Sequence, residues 1–388
     1  TTALDRAAAN GYNRDLVTSD VEIYNPPISG IYSNCADIHF NCNDYIQVII
    51  TSNRPTWFMR LIGINEFTNV VQAVASKISQ VDNFNFGGNA VVALAPDGCA
   101  LMSQGNTSLT VIGGGMYSNS DDATCSFKKD SCAGVTNIYA NTSGTQGTIT
   151  MVGGASINTG CPPNSGLAPA GTKQLPFPPP YEEIAPPAVC SQPTVNITGN
   201  PSSATLAPGH YTAMPPKNNM KDITLQPGVY CIDTEIRIGS QDTFVINSLI
   251  TNGTMPTTPG VFLYIKPGGS FTFNAGSKVQ MWGINDASVA ADPNLLPYKG
   301  FVIYAAPNYS NGTPATCTIN GGSLTMLKGT IYAPYCNITV NGGSGATGFQ
   351  SQLIGYNVKF SGGSEIILDY STGSHPTWTI PLQVGLTK

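Results

Sequence analysis

Asp233, Glu235 and Arg237, at alternate positions, are the residues whose types and spacing come closest to suiting chemistry. On an extended segment, residues two apart share a face, so these three would line one side of a strand. Glycoside hydrolysis needs two carboxylates held about 5–9.5 Å apart across the sugar, usually with a supporting base or cation. The simpler reading, adopted here, is a solvated strand face carrying an ion pair. A second acidic pair, Asp121 and Asp122, precedes Cys125 in a turn-like stretch, where Asp side chains commonly bond to nearby backbone N–H groups. A calcium ion held by these two and by neighbouring carbonyls is the functional alternative, but no full ligand loop accompanies them.

His39, His210 and His375 are scattered without partners at metal-ligand spacing, so no zinc site is expected. Neither a Gly-x-Ser-x-Gly elbow nor a Gly-x-x-x-x-Gly-Lys loop occurs. No catalytic, cofactor-binding or metal-binding residue is therefore assigned, no cofactor is expected, and the chain is read as not an enzyme.

The cysteines carry a different chemistry. Ten are present and none forms a Cys-x-x-Cys, which favours disulfides and hence an oxidising compartment. Spacing suggests Cys35–Cys42 and Cys125–Cys132 as local ties, Cys161–Cys190 as the closure of a proline-rich loop, and Cys317–Cys336 as a link between stacked segments. Cys99–Cys231 remains by elimination, and sequence alone proves none of these pairings. Seven Asn-x-Ser/Thr triplets make surface glycosylation chemically available, but a chain this rich in Asn, Ser and Thr produces such triplets by chance.

The elements that must position these groups are short. Of 388 residues only 10% are charged and 41% are hydrophobic, with 42 Gly and 29 Pro, the balance of a folded chain broken by many turns. A net charge of −5, with no basic run interleaved with aromatics, argues against nucleic acid as a partner. No stretch reaches the roughly 20 apolar residues of a membrane-spanning helix. The expectation is that an export or anchor segment preceded the chain, which would supply any membrane contact.

Residues 1–84 read as a small α+β module. It comprises an Ala-rich helix over about Thr1–Asn13 stopped by Gly11, strands at Val21–Tyr24 and Tyr45–Ile50, and a second helix over Phe67–Ser76. From 85 to 388 the pattern changes to β-branched runs between Gly pairs. Gly321-Gly322-Ser323, Gly342-Gly343-Ser344 and Gly362-Gly363-Ser364 follow each other at steps of 21 and 20 residues. Leu206-Ala-Pro-Gly-His-Tyr211 returns as Leu225-Gln-Pro-Gly-Val-Tyr230 after 19. Such a period predicts a mainly β, right-handed parallel β-solenoid whose stacked coils bury a continuous column; the alternative is an antiparallel β-sandwich. Val261–Tyr264, Phe301–Tyr304 and Thr330–Tyr332 are expected as core-facing strands. A proline-rich excursion over 162–189 cannot join a central sheet, because Pro lacks the N–H.

The stretches Ala7-Ala8-Ala9-Asn10-Gly11-Tyr12, Val21-Glu22-Ile23, Pro26-Pro27-Ile28-Ser29-Gly30, Tyr45–Val48 and Trp57–Gly63 resemble the TadE/TadG-like pilus-assembly proteins of bacteria. Gly113-Gly114-Gly115-Met116-Tyr117 and its surroundings are similar to the Gly-rich extension that many of them carry. The resemblance implies a preceding transmembrane helix and a surface-exposed, pilus-associated or adhesive role, with no catalytic motif to transfer. Sequence and resemblance together predict an extracellular structural protein of a bacterial filament, pilus or surface layer. Its expected partners are copies of itself or filament neighbours, and surface glycans. The alternatives are a carbohydrate-active β-helix enzyme and a monomeric carbohydrate-binding adhesin.

Overall fold

The computed structural model describes every residue except 1, 31–32, 34–44, 78–87, 131–135, 141, 146, 158–168, 172–173, 176, 179–182, 200, 248–257, 322–324, 343–346, 364, 371–383 and 388. The chain is mainly β and divides into two compact units, one of residues 1–82 with 379–388 and the other of residues 83–378.

The first unit opens on helix α1 (Thr2–Ala9), which ends where Gly11 takes a φ of +86°. Strands β1 (Ser19–Tyr24), β2 (Tyr45–Pro55) and β3 (Glu66–Lys77) follow, all antiparallel, and the C-terminal strand Val384–Thr387 pairs with β3. The helix expected over Phe67–Ser76 is corrected here: those residues lie in β3, paired with β2 from Tyr45↔Ser76 to Pro55↔Glu66. Thr68, Val70 and Val71 suit a pleated strand better than a helix, and β2 is long enough to offer a partner along the whole segment.

The second unit is built from parallel ladders; every pairing among its described strands is parallel, where a sandwich would need antiparallel ones. One ladder runs from Ser203–Leu206 through Asp222–Leu225, Thr243–Ile246 and Lys278–Trp282 to the start of Met326–Ala333. It continues through the start of Thr347–Gly355, then Glu365–Asp369, and ends on Ser108–Ile112 and Thr136–Tyr139. A second ladder, starting from Gly209–Tyr211, and a third, starting from Glu235–Ile238, rise alongside it. The order of rungs is not the order of the chain. Strand Asn89–Ala93 pairs with Thr347–Gly355, so the strands Asn89–Ala93, Gly115–Ser118, Ile149–Met151 and Pro169–Gly171 stack in turn beyond the rung that the chain reaches near residue 355.

The glycine repeat marks the rungs. Thr339 pairs with Thr318 and with Lys359, one repeat away on each side, and Gly342 pairs with Gly362, whose φ is +112°. A Cβ on Gly362 would meet the backbone of Gly342 at 2.9 Å, so adjoining rungs leave no room for a side chain there. In the Pro-Gly-x-Tyr turns the tyrosine folds back on its own corner: the Tyr211 hydroxyl donates to Ala207 O at 2.7 Å and that of Tyr230 to Gln226 O at 2.8 Å. Between the ladders Leu225, Ile223, Phe271, Leu263, Ile331 and their neighbours form one continuous buried core.

Three disulfides lie among the described cysteines. Cys317–Cys336 joins neighbouring rungs as the spacing predicted, with Cα atoms 6.0 Å apart. The other expectations involving described cysteines are corrected. Cys99 pairs with Cys125 rather than Cys231, and Cys190 pairs with Cys231 rather than Cys161. Leu101 faces Phe127 on adjoining rungs, so Cys99 and Cys125 stand one strand spacing apart although 26 residues separate them in sequence. Cys35, Cys42, Cys132 and Cys161 lie outside the described residues.

Candidate functional site

The second ladder presents two rows of side chains, as alternation on a strand requires. One row, with Tyr211, Ile232, Ile265, Ala305 and Ala333, joins the core. The other runs His210, Cys231, Tyr264, Tyr304, Tyr332, Ile354, Val92 and Tyr117, each paired with the next. These residues are outside the core cluster and yet buried. Much of what covers the row is the proline-rich segment, which crosses the rungs as a strap.

At one end Leu175 is held by the Asn119 side chain: Leu175 N–H donates to Asn119 Oδ1 at 2.7 Å, and Asn119 Nδ2 donates to Leu175 O at 3.0 Å. Phe177 sits among Tyr309, Tyr335 and Tyr356, with ring centroids 5.4, 6.3 and 5.3 Å away. Glu183 comes next. Its Oε1 accepts from Tyr332 at 3.0 Å and Tyr309 at 3.1 Å, its Oε2 accepts a short bond from Tyr304, and Ile184 N–H donates to the Tyr304 oxygen at 3.1 Å. Burial pushes the Glu183 carboxyl above its usual value, and the three tyrosine hydroxyls offset only part of that rise. Tyr264, stacked on Tyr304 at 5.6 Å, is raised to about 12 by burial first and by Glu183 second.

The far end is tied twice. The Cys190–Cys231 disulfide fixes the strap to the row, and two residues on, Gln192 O lies 2.6 Å from His210 Nδ1. A carbonyl oxygen only accepts, so Nδ1 carries the proton. His210 Nε2 lies 2.7 Å from Asp233 Oδ1, which also takes a 2.7 Å ion pair from Lys266. Burial raises the Asp233 carboxyl, but the bonds and charges of His210 and Lys266 outweigh it and hold the group below its ordinary value.

Asp233 is thus engaged by His210 and Lys266, which sequence reasoning did not join to it. Glu235 and Arg237 are exposed on their strand while Ile236 and Ile238 point into the core, the solvated face expected from alternation. Asp122 Oδ1 accepts from Thr124 N, Thr124 Oγ1 and Cys125 N, so it closes its own turn. Those bonds hold its carboxyl below the usual range. Among the described residues no cluster of three His, Cys, Asp or Glu side chains could hold a metal ion. His39 and His375 lie outside the described residues.

The residues that sequence reading missed are Glu183 and the tyrosine row. A signal for the row was present: Val261–Tyr264 and Phe301–Tyr304 are apolar at every position, and such a strand is buried on both faces. The arrangement joins the strap to the ladder through a disulfide, stacked rings and a carboxyl group that accepts from three hydroxyls. Comparison with protein-family models, curated proteins and solved structures returns no match.

Proposed function

We propose that this chain is an exported structural protein of a bacterial surface filament, pilus or surface layer, working by self-assembly and adhesion. In this reading the parallel ladders form a right-handed β-solenoid beside a TadE/TadG-like module. The observation that carries the proposal is the strap. Its described residues are tied to several rungs, at Asn119, Tyr332, Tyr304, Cys231 and His210, while Cys99–Cys125 and Cys317–Cys336 lock neighbouring rungs. Ties along and between rungs resist unfolding from the ends, a property useful in a load-bearing part and superfluous in a one-sided strand face. Three disulfides suit an oxidising, extracellular setting, and no described helix is long and apolar enough to cross a membrane.

Assembly would use the ends of the stack, where Ser203–Leu206 and Thr136–Tyr139 are the terminal strands of the first ladder. A terminal strand offers backbone N–H and C=O groups to a neighbouring copy. Electron microscopy of the purified chain and of native surface material tests this. Filaments or arrays with repeated contacts, each burying well over about 1,000 Å², are expected. A strictly monomeric protein that turns over a polysaccharide, and loses that turnover in Asp233→Asn and Glu235→Gln, would establish the enzyme instead. A monomer with saturable glycan binding and no turnover would establish the adhesin.

A further inference from the structure

β1 pairs with β2 only as far as Ser52, and the C-terminal strand pairs with β3 only over Val74–Lys77. Beyond Asn53 the described strands leave β2 and β3 as a two-stranded ribbon, closed by a turn over residues 56–65. That turn displays Trp57 at 94% exposure, Phe58 at 86%, Leu61 at 83% and Ile62 at 74%, with Met59 and Ile64 exposed beside them. Scattered surface apolar residues need no explanation, but a contiguous group of this size marks a contact surface.

The turn is ordered by its own backbone. Thr56 N–H donates to Asn65 O at 3.0 Å, Gly63 N–H to Arg60 O at 3.1 Å and Ile64 N–H to Met59 O at 3.0 Å. The Thr56 hydroxyl bonds Ile64 O. Gly63 makes this closure with a φ of +87°. Backbone groups paired internally can enter an apolar medium without losing hydrogen bonds to water.

We propose that this hairpin tip inserts into the surface of an anionic lipid bilayer. Two observations select lipid over a protein groove. The only charge within residues 56–65 is Arg60, whose long stem lets its head reach phosphate while the neighbouring side chains sink. Trp beside a polar neck (Asn53, Arg54, Glu66, Thr68) matches the headgroup boundary, and a tip this short enters only the outermost part of the leaflet. This contact is independent of the assembly role proposed above.

The test is co-sedimentation of the full chain with vesicles of equal parts phosphatidylcholine and phosphatidylglycerol, and with pure phosphatidylcholine vesicles. Binding is expected to the mixed vesicles and at least about tenfold weaker to the neutral ones, since anionic lipid adds attraction to the apolar burial. The triple variant Trp57→Ser, Phe58→Ser, Leu61→Ser should lose binding at least tenfold while keeping its thermal unfolding curve, because these side chains are exposed. Arg60→Glu should remove the preference for phosphatidylglycerol. Three results would overturn the proposal: no wild-type binding to either vesicle, equal binding by the triple variant, or self-association without lipid that the triple variant abolishes, which would make the tip a contact between copies.

Discussion

The two units treat apolar side chains in opposite ways. In the second unit the ladders bury Phe271, Phe273, Leu263 and Ile331 between them, and even the row outside that core, Tyr264, Tyr304 and Tyr332, is buried under a strap. In the first unit Trp57, Phe58 and Leu61 stand in the open, and Phe67, Val70 and Val71 on β3 are exposed as well. A parallel ladder grows by adding rungs that each cover the last, so apolar content turns into stability. A hairpin that outruns its neighbours cannot cover its own tip, so the same content is left for a partner.

Substitutions should separate the two units by magnitude. Phe273→Ala, in the core of the second unit, should lower the unfolding free energy by about 3–5 kcal/mol in chemical denaturation, because it leaves a cavity between close-packed rungs. Removing the strap tie with Cys190→Ser and Cys231→Ser together should cost about 2–4 kcal/mol, read as a lowered melting temperature relative to the oxidised parent. Glu183→Ala leaves tyrosine hydroxyls without their acceptor and should cost about 1–3 kcal/mol in the same assay. Phe67→Ser on the exposed ribbon should stay within about 0.5 kcal/mol of the parent. A large loss from Phe67→Ser, or none from Phe273→Ala, would erase the contrast.

pH sharpens the contrast within the strap itself. The Glu183 value is raised on folding, so its contribution is fully present below the ordinary glutamate value and is lost as pH rises through the raised one. Asp233, at the other anchor, is depressed, so its contribution is present above the ordinary aspartate value and is lost as pH falls. Melting curves of Glu183→Gln should therefore lack the decline that the parent shows as pH climbs above the ordinary glutamate value. The decline should survive in Asp233→Asn.

Much of this architecture was legible in the sequence because it repeats. Gly342 and Gly362 fall in register as the 20-residue step requires, and Cys317–Cys336 follows from the same period. What failed were the pairings that local spacing does not set. Cys99 meets Cys125 because consecutive rungs bring them within one strand spacing although 26 residues lie between, and Cys190 meets Cys231 because the strap lies against the row. Likewise, the proline content of the strap said only that it could not be a central strand. Its destination was set by a row of tyrosine hydroxyls that needed an acceptor and by aromatic faces that needed cover. The misread segment over Phe67–Ser76 has the same origin: its apolar spacing serves helix or strand, and the partner strand β2 decides.

Native-state hydrogen exchange on the oxidised chain tests most directly whether strap and ladders are one locked body. The amides of Leu175, Ile184 and Val195, which donate to Asn119, Tyr304 and His210 O, should exchange only in the same cooperative opening as the ladder amides of Leu263 and Ile331. Exchange of those strap amides at the rate of an open loop, while the ladder amides stay protected, would contradict the account.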